Sequence, residues 1–163
     1  MDHNVFSINL SGRGMKFALV VSRFNELVTQ GLEQGARRAL QEAGVAAEDI
    51  TAYHVPGAFE IPFTAAKIME RREVDAVICL GAVIRGETPH FEYISRAVSS
   101  GIMELNLRGH IPVIFGVLTT DTVDQADARS GQGKENKGYE AGMAAVEMAT
   151  VMKNIQFPIS NFQ

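Results

Sequence analysis

The chain has 163 residues, 46% of them hydrophobic, which is enough for one domain with a full core and short of two; a single domain over 1–163 is expected, with 1–14 as an N-terminal arm. Its 15 basic and 19 acidic residues give a net charge of −4, with no basic cluster, aromatic–basic interleaving or zinc-ligand spacing, so nucleic acid is not an expected partner. One cysteine excludes an intrachain disulfide, and the absence of a leader-like start or of a roughly 18-residue apolar run leads us to expect a cytoplasmic protein with no membrane segment.

In chain order, the arm carries Val5, Phe6, Ile8 and Leu10 and ends in a glycine-bounded turn at Gly12 and Gly14, a pattern that suits pairing outside its own domain. Phe17 to Val21 (FALVV) is a continuous apolar run of the kind buried on both faces of a parallel sheet. A helix follows with Val28, Leu32, Ala36, Ala39, Leu40 and Ala43 on one face and Gly44 as its stop. Ile50 to Val55 reads as a second strand, and Pro56-Gly57 leads into a helix with Ile61, Ala65, Ile68 and Met69 inward. The third strand is Ala76 to Leu80, followed by a turn-rich stretch from Gly81 and then a helix with Phe91, Ile94, Val98, Ile102 and Leu105 inward, stopped by Gly109. Pro112 to Leu118 is the fourth strand. A short helix from about Thr122 to Arg129 and the polar loop SGQGKENKG lead to a last helix whose apolar side is Ala141, Ala144, Ala145, Met148 and Met152.

Apolar strands alternating with amphipathic helices imply right-handed βαβ units, hence an α/β/α sandwich around a parallel sheet. In a flavodoxin-like four-stranded sheet of order 2-1-3-4, ligands bind beyond the carboxyl ends of strands 1 and 3. Ser22 to Asn25 and Ala82 to His90 flank that point, and the turn from Pro56 to Glu60 is close by. Thr88 suits an N-cap and Pro89 the first helical position, which puts His90 among amide N–H groups that lack helical acceptors and attract anions.

Several chemistries find no support. Gly12-x-Gly14 precedes a strand, GETPHF lacks the lysine and hydroxyl of a P-loop, and the four histidines are dispersed, so neither a nucleotide nor a metal is indicated. No serine elbow or Schiff-base lysine stands out. What remains is a set of individually weak signals, each with a plainer reading beside the functional one. Phe24 either stacks on a flat ring or closes over the core, and Glu60 either faces a ligand or complements a helix dipole. Arg129 either clamps a phosphate or is a solvated charge, and His90 either serves an anion site or is merely exposed. Their shared position at strand ends favours a polar, anion-receptive cleft.

RFNE at 23–26, VPGAFEIPF at 55–63, GAVIRGETPHFEY at 81–93, FGVLTTDT at 115–122 and NKG at 136–138 together resemble lumazine synthase, in order and over nearly the whole chain. The resemblance implies a flavodoxin-like fold and a cofactor-free condensation of 5-amino-6-(D-ribitylamino)uracil with 3,4-dihydroxy-2-butanone 4-phosphate, the penultimate step of riboflavin biosynthesis. It also implies roles by position. Phe24 stacks on the pyrimidine, while Ala58, Phe59, Glu60, Ala82, Val83 and Ile84 hold the uracil and ribityl chain. Glu87, through its backbone N–H, Thr88 and Arg129 bind the phosphate, and His90 transfers protons. Phe115, Arg129 and Lys137 reach the site from an adjacent subunit. The lysine often found four residues after the arginine is Gly133 here, beside Lys134. The implied assembly is a homopentamer, in some members an icosahedral shell of about 60 subunits, with the N-terminal strand added to a neighbour's sheet and riboflavin synthase a candidate partner. A different class of protein, a non-catalytic flavin- or pteridine-binding or shell-forming subunit, would share the fold and Phe24 but would not require His90.

Overall fold

The computed structural model describes residues 10–133 and 135–156. Val5, Phe6 and Ile8 of the arm lie outside the described residues; Leu10 is exposed.

Strand β1 (Phe17–Ser22) is buried along its whole length, and its alternate side chains supply two separate cores. Phe17, Leu19 and Val21 pack with α1 (Glu26–Glu42), α4 (Val123–Ser130) and α5 (Lys137–Gln156), whereas Ala18 and Val20 pack with α2 (Ile61–Arg71) and α3 (His90–Arg108). Because both faces are covered, the run is apolar without alternation. β2 (Ile50–Val55), β3 (Ala76–Ile84) and β4 (Val113–Thr120) complete a parallel sheet of order β2-β1-β3-β4. The expected α/β fold and strand order are thus present, and the order reverses between β1 and β3.

Helix α1 ends as its glycine suggests. Gly44 takes φ 91, its N–H donates to the Gln41 carbonyl at 3.0 Å, and that of Val45 donates to Leu40 at 3.0 Å, the paired bonds of a Schellman cap.

Two expectations need correction. β3 continues four residues past Leu80, pairing Gly81 to Ile84 with Val117 to Thr120 of β4. Gly81 is therefore no turn but a close approach, because a Cβ there would meet Ile61 Cδ1 at 3.0 Å and Ser22 Oγ at 3.1 Å. In α5 the buried face is Gly138, Ala141, Gly142, Ala145, Val146 and Ala149, while Met148 is 41% exposed. A Cβ on Gly142 would lie 2.8 Å from the Ala36 carbonyl oxygen, so the seam with α1 selects the smallest residues over the most hydrophobic ones.

Candidate active site

Three strand ends build the site at the reversal of strand order. Beyond β1, the Arg23 N–H donates to the Val55 carbonyl at 2.8 Å and the Phe24 N–H to Pro56 at 3.1 Å, extending the β1–β2 ladder into the loop. Asn25 then turns the chain with φ 60, a left-handed conformation that asparagine tolerates. Its Nδ2 donates to the Ala82 carbonyl at 2.9 Å, tying this loop to β3. Phe24 is left 73% exposed at the cavity rim, so its ring does not close over the core.

Beyond β2, residues 58–60 form a short 3-10 turn. Glu60 Oε2 accepts the Gly57 N–H at 3.0 Å while the residue also lines the cavity. The carboxylate that fixes the turn thus belongs to a residue of the cavity lining. Ala58 is buried beneath, and Phe59 stands 60% exposed.

Beyond β3, the chain passes through an exposed stretch to α3. Pro89, at φ −65 and ψ 0, occupies the cap position, and the first helical residue is His90, one later than the sequence suggests. Thr88 still contributes, its Oγ1 accepting the His90 N–H across a long 3.4 Å.

These segments enclose a cavity of about 790 Å3. Phe24, Ala58, Phe59, Glu60, Ala82, Val83, Ile84, Thr88 and His90 all line it. Glu87 is exposed in the same loop and does not. Aromatic rings and aliphatic side chains supply most of the walls, with a carboxylate, an imidazole and a helix N-terminus converging on them, which suits a flat polar ring carrying or accompanying an anion.

Phe115, Arg129 and Lys137 are elsewhere. They line a separate groove of about 410 Å3 along the outer edge of β4, which shares no lining residue with the cavity. There the Arg129 Nη1 donates back to the Gln125 carbonyl at 2.9 Å, and the Lys137 ammonium pairs with Glu140 at 2.8 Å. Cys79 takes no part; it is buried within β3, and burial pushes its thiol pKa up.

Sequence reasoning missed two residues that hold the start of the loop between α4 and α5. Asn136, 3% exposed, accepts the Tyr139 N–H on Oδ1 at 3.0 Å and so caps α5. Its Nδ2 donates to the carbonyls of Gly31, Ser130 and Gly131 at 2.7–2.9 Å. Arg38, from α1, holds the next carbonyls, those of Gln132 and Gly133, at 2.9 and 3.1 Å. An asparagine ahead of a helical pattern was a legible cap signal; the long-range bonds had none. Asn136→Ala should cost about 2–3 kcal/mol, since it removes a cap and leaves buried carbonyls unpaired. Urea denaturation at equilibrium checks this, and a change within about 0.5 kcal/mol would show that these bonds are replaceable.

Among the described residues no helix is long and apolar enough to cross a membrane. A family model described as 6,7-dimethyl-8-ribityllumazine synthase matches residues 14–153. A relative from Salinibacter ruber that carries the same description is 53% identical over 143 residues, covering 88% of this chain and 92% of its own.

Proposed function

The chain belongs to the 6,7-dimethyl-8-ribityllumazine synthase family, and from that premise we propose that its cavity joins 5-amino-6-(D-ribitylamino)uracil to 3,4-dihydroxy-2-butanone 4-phosphate in riboflavin biosynthesis. The observation that carries this reading is the convergence of Phe24, Glu60, Thr88 and His90 on one cavity at the point where strand order reverses.

The cavity walls support a division of labour. Phe24 stacks on the pyrimidine, and the 58–60 turn with Ala82, Val83 and Ile84 holds the uracil edge and ribityl chain. The phosphate lies at the start of α3, taken by Thr88 and the backbone N–H of Glu87, an exposed residue that is not among those lining the cavity. The aromatic amine of one substrate attacks the ketone of the other, so the imine forms between the substrates without an enzyme lysine. The protein orients the pair and moves protons, and His90 is the group placed to take a proton and return it as water and phosphate leave.

Arg129, Phe115 and Lys137 complete the site from a neighbouring subunit. Support comes from their position, since they line a groove at the sheet's β4 edge that is separate from their own chain's cavity. The proposed assembly is a cyclic pentamer, and the resemblance leans toward such rings built into a closed shell, since the loop from Arg129 to Gly138 lacks the extra residues associated with pentamer-only members. Riboflavin synthase, which consumes the product, is the partner class that follows from the pathway.

Phe24→Ala should weaken pyrimidine affinity several-fold, because a stacked ring contributes on the order of 0.5–1.5 kcal/mol beyond area burial. An unchanged dissociation constant by calorimetry would remove the stacking role. The activity itself is tested by mixing purified protein with both substrates and following the lumazine chromophore and released phosphate. No product above the uncatalysed rate would leave a ligand-binding or shell subunit as the alternative.

A further inference from the structure

Arg85 is the first residue beyond β3, and its N–H donates to the Thr120 carbonyl at 2.9 Å, adding one more rung between β3 and β4. From this anchored start the chain runs through Gly86, Glu87, Thr88 and Pro89, all exposed, to His90. Among the described residues the loop's own side-chain bond is the long one from the His90 N–H to Thr88 Oγ1. A Cβ on Gly86 would meet nothing within 4 Å, so packing does not confine the backbone there. Something else must fix where the imidazole sits.

The Arg85 side chain crosses the gap that the loop goes around. Its Nη1 donates to Glu92 Oε1 at 2.6 Å and its Nε to Asp121 Oδ1 at 2.7 Å. The guanidinium carbon also lies 4.3 Å from the centre of the Phe91 ring. The two residues that follow His90 are thus held by one planar group, which is itself pinned to the β4–α4 turn. Asp121 is not adrift either, because its N–H donates to Gln125 Oε1 at 2.9 Å. The Asp121 hydrogen bond, with that to Glu92, holds the guanidinium pKa above its ordinary value.

We propose that Arg85 is the positioning residue for His90, bracing the first turn of α3 against the end of β4 so that the imidazole meets the substrates in one geometry. It does not line the cavity, so it acts through the turn. Exposed ion pairs contribute little to folding, and at 43% side-chain exposure this one is no exception; its value lies in direction. Lysine cannot substitute, because two acceptors and a ring face are served at once by the guanidinium's fixed fork.

The inference rests on the lumazine-forming activity, which the parent protein reports separately. Arg85→Gln and Arg85→Lys should each lower kcat on the order of tenfold, with the melting temperature and the pyrimidine dissociation constant unchanged. Glu92→Gln, which leaves Arg85 in place, should lose a smaller factor in the same direction. In a His90→Ala background Arg85→Gln should cost nothing further, since the group being positioned is gone. Parent-like turnover in Arg85→Gln, full recovery in Arg85→Lys, or the same loss in both backgrounds would overturn the proposal. If the parent itself made no lumazine, the activity would fall instead, and that outcome is distinct.

Discussion

Replacing His90 by alanine is expected to lower turnover about 100-fold, the low end of the range for a positioned acid–base group. That corresponds to about 2.7 kcal/mol of lost transition-state stabilisation. The loss is kept to the low end because the rest of the cavity lining is untouched, and on the proposed reading Phe24, the 58–60 turn and the β3 end still bring amine and ketone together. The substitution is also benign to the fold. His90 is exposed at the first position of α3, and alanine is the strongest helix former there. A drop in kcat with unchanged melting temperature and unchanged pyrimidine affinity therefore isolates proton transfer. Turnover equal to the parent would move that role to another group, of which the cavity offers Glu60.

The sheet was largely legible because its strands are buried on both sides and so appear as unbroken apolar runs, as in Phe17 to Val21 and Ala76 to Leu80. Glycine was the weak point. Gly81 reads as a turn but sits mid-strand where Ile61 and Ser22 crowd in, and Gly138, read as part of the polar loop, and Gly142, left off the apolar side, both lie in the close seam between α1 and α5. Hydrophobicity ranks a methionine above a glycine, whereas close helix packing ranks them the other way. At the site, the cavity-lining residues were legible from strand-end position, since fold rules place them there. The braces were not. Arg85 and Asp121 are 36 residues apart, and Asn136 and Gly31 are 105 apart, so neither pairing leaves a local pattern. Nor does spacing alone show that Arg129 and His90 stand in separate depressions of one chain, a division that matters for how the enzyme works.

Mixing two crippled variants is expected to restore activity. Arg129→Ala removes the one arginine of the β4 groove and should cost roughly 10- to 100-fold, the worth of a charge-assisted bond to phosphate. His90→Ala cripples the cavity instead. Each pure assembly then has every site damaged, in one half or the other. If a site takes its cavity from one subunit and its groove from the next, random co-assembly makes a site whole when the cavity donor retains His90 and the groove donor retains Arg129. Both conditions hold at about one quarter of the boundaries in an equal mixture, so the co-refolded sample should recover about a quarter of parental turnover. The rise is large compared with either variant alone, and it cannot arise from intact monomers because no chain carries both residues. Light scattering on the same sample gives the ring size against the 17.7 kDa chain. A mixture no more active than the average of its components, in assemblies shown to contain both variants, would place His90 and Arg129 in one chain's site, with Arg129 crossing from the groove when substrate binds.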